Sequence, residues 1–482
     1  MSNAVYIGLG LARSDAPLKV TGRAKFGSDH YKNDMLFGRV LRSPYPHAKI
    51  LDIDTSAAER LPGVKGVVTG TPLAKPVGMF LQDEPLLATD RVRYRGEGVA
   101  VVGAVSEDIA EDALSLIRVE YEELPAVFDP ESAMAEDAPR VHEDKENAID
   151  KFRVTFGDVE RGFQDADIIV ENRYTTGRVA HIALEPRSTL ASYELGGKLT
   201  VEKSSQSVYG ERALLSEALG IPQSKIRVVS SFVGGAFGSK EEPLALDAGA
   251  TLLAMKCGRP GKVTHTREDE ILTRLRHPFI IHARHGAKKD GSLTAVHYKV
   301  IIDNGAYTSL GTAVSRAAST LGGSLYRLPN YLAESVLVYT HHPPCGAMRG
   351  FGNPQITFAQ EQQMDLLAAE LGLDPVEIRL RNAVETGDET ASGAVLKSCG
   401  LKECIQKAAE RFGWAEKRKN PKPNRGIGVA CGVHFTSSRE TALDCSAVTL
   451  KMNLDGSLIL IAGTSEMGTG SDTLLGQIAA EI

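Results

Sequence analysis

Long apolar runs are missing from this 482-residue sequence. None approaches the roughly 20 residues that a membrane-spanning helix requires, so no membrane partner is expected. An extended basic run is missing too, and the formal net charge of −6 argues against nucleic acid as the main partner. Cysteine is sparse. The six present (Cys257, Cys345, Cys399, Cys404, Cys431 and Cys445) form no CxxC pair, which leaves neither an iron–sulfur nor a zinc signature. They read as reduced, mostly buried thiols of a cytoplasmic protein. The apolar opening "AVYIGLGLA" is short and no Lys or Arg precedes it, which argues against a signal peptide. No GxGxxG follows an early strand with an acidic residue at the proper distance, so a nicotinamide dehydrogenase finds no support. No internal repeat or low-complexity tract is present.

What remains is a mildly acidic chain, 42% hydrophobic, with enough apolar residues for more than one core. Residues from about 18 to 125 read as a small α+β unit. In it, "LFGRVLRSPYPHAKILDIDTSAAERLPGV" passes from strand through turns to strand and short helix. "RVRYRGEGVAVVGAVSEDIAEDALSLIRVEYEEL" repeats that order with a longer amphipathic helix. A Pro-, Asp- and Glu-rich stretch over 131–150 is the linker candidate. A larger region follows to about 415. It holds a hairpin with Asp290-Gly291 at its turn, then an amphipathic helix, a stop and a second helix. "KRKNPKPNR" marks the next boundary, and a third unit over 420–482 is too short to make a core alone.

Three glycine-bearing stretches carry the chemistry. In "SSFVGGAFGSKEEP" a strand ends in Gly234, Gly235 and Gly238, Phe237 sits inside the turn, and a helix is predicted to start near Glu241. This is either a plain strand-to-helix turn or a cradle for a cofactor. In "HHPPCGAMRGFGNPQ" an irregular path surrounds Arg349, whose partner is an anion or polarised oxygen, or else a structural carboxylate. His341 and His342 are adjacent and point to opposite faces of a strand, so neither is a metal ligand. The third stretch, "GTSEMGTGSDTLLGQIAAEI", runs from a strand through Gly468 and Gly470 into a helix. Ser471 and Asp472 are its N-cap candidates, and its free amides suit an anionic group. Gln206, in "KSSQSVYGERALLSEALG", reads as a loop-borne polar contact or a surface amide. His181 and Glu185, at helical spacing in "HIALEPRST", read as a satisfied polar pair.

In this order the motifs resemble the molybdopterin-binding subunit of the xanthine dehydrogenase/aldehyde oxidase family of molybdenum hydroxylases. "KVTGRAKFGSDH", "LRSPYPHAKI", "HIALEPR", "VGGAFGSKEE", "HPFIIHARHGA", "GAMRGFGNPQ", "GDETASG" and "GTSEMGTGSDT" carry the resemblance over essentially the whole chain. The implied fold is α+β. An α/β hammerhead domain (1–130) and a linker (131–150) lead into an elongated molybdopterin-binding domain (151–415). Residues 420–482 begin a second such domain, whose remainder a partner subunit would supply, as in the split nicotinate dehydrogenase. The implied cofactor is molybdenum molybdopterin, in its plain or its cytosine dinucleotide form, with [2Fe–2S] clusters and FAD on partner subunits.

In that family the molybdenum centre inserts a water-derived oxygen into an electron-poor carbon, and two electrons leave through the pterin. Residue by residue, Gln206 matches the glutamine that hydrogen-bonds the apical oxo ligand, and Phe237 and Gly238 match the loop over the metal. Arg349 matches the substrate-side arginine, giving Gln206, Phe237 and Arg349 contacts to the metal's oxo ligands. Glu241 stands at the substrate-binding glutamate of purine-oxidising members. Gly235, Ala347, Met467, Gly468, Thr469 and Gly470 line the pterin, with Thr469 where many relatives have glutamine. Glu241 with Arg349 favours a nitrogen heterocycle, a purine such as xanthine or a nicotinate-like ring, over a simple aldehyde. "PPCGAMRG" is similar to the loop of 4-hydroxybenzoyl-CoA reductase, a reductive alternative. A catalytically silent assembly subunit is the alternative of a different class.

Overall fold

Buried β-branched residues in "GVAVVGA" make the strand Gly98–Ala104, every residue of which is buried. The structure is a computed structural model, described over residues 5–70, 75–435 and 447–482. Strands Leu36–Arg42 and Val64–Thr69 flank Gly98–Ala104 as antiparallel neighbours. The helix Glu107–Leu114 lies across them, capped by Ser106, whose hydroxyl accepts the Ile109 amide at 3.3 Å. A separate three-stranded sheet joins Ala48–Asp54, Arg91–Val92 and Arg118–Glu123.

The first sheet does not stop near residue 130. Leu36–Arg42 also pairs in parallel with Gly261–Thr264, which continues into Ser188–Tyr193, Leu199–Lys203 and Ile226–Ser230. The result is one seven-stranded sheet built from both sides of the 131–150 stretch. The helix Ala245–Cys257 covers it, burying Leu246, Leu252 and Leu253.

The expected linker is an ordered strap. Asn147 is buried, donates to the carbonyls of Ala133 and Pro139 at 3.0 Å, and accepts the Val141 amide at 3.0 Å. A five-stranded sheet follows, in the order Ala148–Phe156, Tyr331–Tyr339, Leu293–Gly305, Phe279–Ala287, Ile168–Thr175. Its hairpin turns at Asp290-Gly291 as expected, with Gly291 at φ +89°. Helix Asn353–Leu371 was expected to be amphipathic but buries polar Gln355, Gln360 and Gln363 along with Ile356, Met364 and Leu367. The glutamine amides are spent on backbone carbonyls, which lets this helix sit in the core.

The closing unit is different. Strands Val448–Met452 and Leu458–Ala462 form a lone hairpin, and helix Ser471–Glu481 buries no residue. The Glu481 carboxylate accepts the amides of Val5, Tyr6 and Ile7 at 2.6–3.0 Å, tying that helix to the beginning of the described chain. Cys445 lies outside the described residues.

Candidate active site

Residues 234–240 form a loop held shut from two sides. At its start the Gly234 amide donates to Glu185 Oε2 at 2.6 Å, an approach only glycine permits, since a Cβ there would stand 2.6 Å from Glu185 Cβ. At its end the Lys240 ammonium, with a side chain 0% exposed, pairs with the same Oε2 at 2.7 Å. Gln206 grips the loop's second half. Its Oε1 accepts the amides of Gly238 at 3.0 Å and Lys240 at 3.2 Å, and its main-chain N–H donates to the Lys240 carbonyl at 2.8 Å.

Between these anchors Phe237 takes a left-handed backbone, φ +59°, and its ring is 45% exposed. Such a conformation is costly for a large side chain and persists because the surroundings over-determine it. Gly235, at φ +94°, lets the Phe237 ring fold to within 3.2 Å of where a Cβ would be.

The second glycine loop lies directly on the first. The Arg349 amide donates to the Phe237 carbonyl at 2.9 Å, and Gly238 faces the Ala347 carbonyl so closely that a Cβ would stand 2.5 Å from it. His181 Nε2 donates to that same Ala347 carbonyl at 2.8 Å, and burial pushes its pKa down to about 4, so it stays neutral. His181 and Glu185 lie outside any helix, contrary to their helical spacing, and are not a pair with each other. Each holds one of the two loops.

The Arg349 side chain is exposed and makes no hydrogen bond or ion pair with a described residue. The structural-carboxylate reading of Arg349 therefore finds no partner among the described residues. His341 and His342 are likewise spent elsewhere, His341 Nδ1 accepting the Val127 amide at 3.0 Å and His342 facing Asp303. Among the described residues no group of three or more His, Cys, Asp or Glu side chains is placed to hold a metal ion.

Glu241 does not start a helix. The helix begins at Ala245, and the Asp247 carboxylate caps it by accepting the Leu244 amide at 2.8 Å. Glu241 is half-buried and makes no hydrogen bond with a described residue. Burial, with Glu242 and Glu211 nearby, pushes its pKa up to about 7.

The closing turn reaches this site through Met467, whose sulfur lies 3.2 Å from Gln206 Nε2. Its N-cap is Gly470, in left-handed conformation, rather than Ser471 or Asp472. Its amides are not free. Glu466 curls back so that its carboxylate accepts Gly468 N at 2.6 Å, Gly470 N at 3.1 Å and Asp472 N at 3.4 Å. Burial works against that charge, but the amides of Gly470 and Gly468 outweigh it and hold Glu466 below the usual carboxylate range. Arg13 completes the cluster at 3.0 Å from Glu466 and 2.8 Å from the Gly468 carbonyl. Thr469 is exposed. The turn is thus built to hold an anion and holds one of its own.

The structure brings Gln206, Gly235, Phe237, Gly238, Ala347, Arg349 and Met467 together, with Gly468, Thr469 and Gly470 alongside. Lys240 and Arg13 were not anticipated. Lys240 lies two residues past the last glycine of the motif, and a lysine between Ser239 and Glu241 was the available signal. Nothing near Arg13 in the sequence signals its contact with residues more than 450 positions away.

Three family models match the chain. One, for the aldehyde oxidase and xanthine dehydrogenase a/b hammerhead domain, covers 21–125, and models for molybdopterin cofactor-binding domains cover 141–383 and 407–482. The nicotinate dehydrogenase large molybdopterin subunit of Eubacterium barkeri is 38% identical over 84% of this chain and 96% of its own length. The xanthine dehydrogenase molybdenum-binding subunit of Escherichia coli O157:H7 is 36% identical over 97% of this chain. The chain spans only 65% of that relative's length. Quinoline 2-oxidoreductase from Pseudomonas putida 86 superposes with a TM-score of 0.90 at 28% identity, over 99% of this chain and 65% of that one. Aldehyde oxidoreductase from Desulfovibrio gigas gives 0.87 at 30%, over 93% and 51%.

Proposed function

The chain belongs to the aldehyde oxidase and xanthine dehydrogenase family of molybdopterin-dependent oxidoreductases, and on that premise we propose that it carries the substrate side of a hydroxylase acting on a nitrogen heterocycle. The observation behind this reading is a pair of unspent charges on adjoining loops. Glu241 and Arg349 both lack partners among the described residues, and they stand on loops joined through the Phe237 carbonyl. An exposed guanidinium suits negative charge that builds on a ring or carbonyl, and a carboxyl of raised pKa suits a ring nitrogen as donor or acceptor. A purine such as xanthine, or a nicotinate-like ring, offers both complements, whereas a simple aldehyde offers no ring N–H.

The residues fit a molybdenum molybdopterin. Gln206 Nε2 faces only the thioether of Met467, a weak acceptor, so a stronger acceptor would be welcome there. Gly235 and Gly238 leave a cradle without side chains, and the amides of Gly468 and Gly470 donate to the Glu466 carboxylate where a phosphate of the pterin, or of its cytosine dinucleotide form, would also bind. When bound, the group supplies insertion of a water-derived oxygen and uptake of two electrons. Phe237 shields one side of the cradle, Gln206 donates one amide hydrogen into it, and Arg349 and Glu241 orient the ring.

The electrons need an exit that this chain's cysteines do not offer, so we assign [2Fe–2S] and FAD carriers to partner subunits. The exposed apolar side chains Val448, Leu450, Ile461 and Leu474 suit a further molybdopterin-binding chain, expected from a partner subunit. Because the described cysteines are all free thiols, we place the complex in the cytoplasm. The test is metal analysis of the purified complex followed by steady-state kinetics on purines, nicotinate and small aromatic aldehydes. Stoichiometric molybdenum with turnover of a heterocycle is expected. Aldehydes turned over in preference would favour an aldehyde oxidoreductase, reductive loss of an aromatic hydroxyl would favour the 4-hydroxybenzoyl-CoA reductase type, and absence of molybdenum would leave an assembly subunit.

A further inference from the structure

The Glu185–Lys240 pair sits under the glycine loop with almost no solvent, Lys240 at 0% and Glu185 at 9% side-chain exposure. A buried ion pair is a poor means of gaining stability, because removing both charges from water offsets most of their attraction. Burial lowers the Lys240 pKa, and Glu185 is the chief influence opposing that shift. Glu185 is also fully engaged. Its Oε1 accepts Gly27 N at 2.9 Å, and its Oε2 accepts Gly234 N and the Lys240 ammonium. One carboxylate thereby fixes both ends of the loop and joins it to residue 27.

Lys240 has a second set of contacts, through its backbone. Its amide and that of Gly238 both point at Gln206 Oε1, while its carbonyl accepts the main-chain N–H of Gln206. Two N–H donors aimed at one end of a primary amide decide which way that amide faces. The oxygen must lie toward the loop, since a flipped NH2 would meet two donors. The NH2 is then turned outward, where it reaches the Met467 sulfur.

We infer that the Glu185–Lys240 pair is a positioning element, which fixes the main chain at Gly238 and Lys240 and through it aims the Gln206 NH2 into the cofactor cradle. This rests on the proposed function for what the NH2 meets, though not for the geometry of the loop. Neither charged group touches the cradle itself. Their action passes through Gln206.

The experiment uses the intact complex, purified with Lys240→Met, with Glu185→Gln, or with both changes together. Two measurements are made: amide hydrogen exchange at Gly238 and Lys240, and turnover normalised to bound molybdenum. Positioning predicts exchange at those amides at least tenfold faster in either single variant. It also predicts turnover per bound molybdenum about tenfold lower, with KM within about twofold of the parent. The double variant removes the uncompensated charge, so its melting temperature should recover relative to Lys240→Met while its turnover does not. If variants lose only molybdenum content and keep full turnover per metal, or if turnover recovers together with stability, the pair is merely structural and the inference falls. A parent complex without molybdenum would overturn the proposed function, yet the exchange measurement would still decide the loop. Unchanged exchange there removes the inference by itself.

Discussion

The two glycine-bearing ends of the site are built in opposite ways. The loop 234–240 is held by Glu185, Gln206, Lys240 and the neighbouring Arg349 amide, and it carries a strained Phe237 that nothing short of such bracing would keep. The closing turn 466–472 is braced mainly by its own Glu466 and by Arg13, on a helix with no buried residue. The first region can present fixed groups to a reacting centre, whereas the second can exchange its internal anion for another at little structural cost. Preorganisation is concentrated where charge would develop, and adaptability where a cofactor would be anchored.

Changing Arg349 should break the comparison most sharply. Arg349→Met is expected to lower turnover of a purine- or pyridine-like substrate by about two to four powers of ten, as for one lost electrostatic contact. Molybdenum content should stay normal, because the side chain braces nothing among the described residues. Atomic absorption beside kinetics checks both halves.

Gly238→Ala should come next. Its Cβ would stand 2.5 Å from the Ala347 carbonyl at φ +102°, so the two loops must part. A loss of about 2 kcal/mol or more in stability is expected, read by denaturant midpoint, with reduced cofactor content. The equivalent change at Gly468, which meets nothing within 4 Å but has φ +111°, should cost only its backbone strain, roughly 1 kcal/mol.

Glu241 gives a smaller effect with a defined pH. Its pKa is raised from 4.5 to about 7, so the folded protein holds the proton more tightly than the unfolded chain. The stability this contributes is complete below about pH 4.5 and is lost as pH rises through 7. Glu241→Gln should therefore raise the melting temperature by a few degrees at pH 8 and leave it unchanged at pH 4. For a heterocyclic substrate the variant should also lose a KM transition near pH 7 that aromatic aldehydes never display.

The smallest effect on the chain itself is expected from Leu450→Lys, since Leu450 is 52% exposed on the closing hairpin. Stability of the isolated chain should change by less than about 0.5 kcal/mol. Recovery of partner subunits on affinity purification should fall. Unimpaired recovery would remove this face from the subunit contacts.

The mixed α+β architecture was legible because strand alternation, turn residues and caps are local. The Asp290-Gly291 hairpin and the stop after the long helix, which the structure places at Gly372 beyond Asn353–Leu371, followed from chemistry within a few residues. Helix starts were less legible. Ser471 and Glu241 are good terminal types, but Gly470 and Leu244 hold the N-cap positions because neighbouring carboxylates, Glu466 and Asp247, take the amides instead. Of the site, the glycines and Arg349 stood out by their oddity in sequence. The contacts of Glu185, Lys240 and Arg13 could not, since each depends on pairings between residues tens to hundreds of positions apart. The spacing of His181 and Glu185 suggested a partnership, yet an irregular, non-helical backbone, with Ile182 at φ +48°, sends them to different loops.

The seven-stranded sheet has a bearing on how the chain emerges from the ribosome. Strand Leu36–Arg42 finds its parallel neighbour only at Gly261–Thr264. At typical synthesis rates of 5–20 residues per second, roughly 10 to 45 s separate the two. For that interval one edge of the early antiparallel trio stands bare, with its N–H and C=O groups open to any extended peptide. A chaperone that shields strand edges during translation, or faster elongation through residue 264, should thus raise the yield of folded chain.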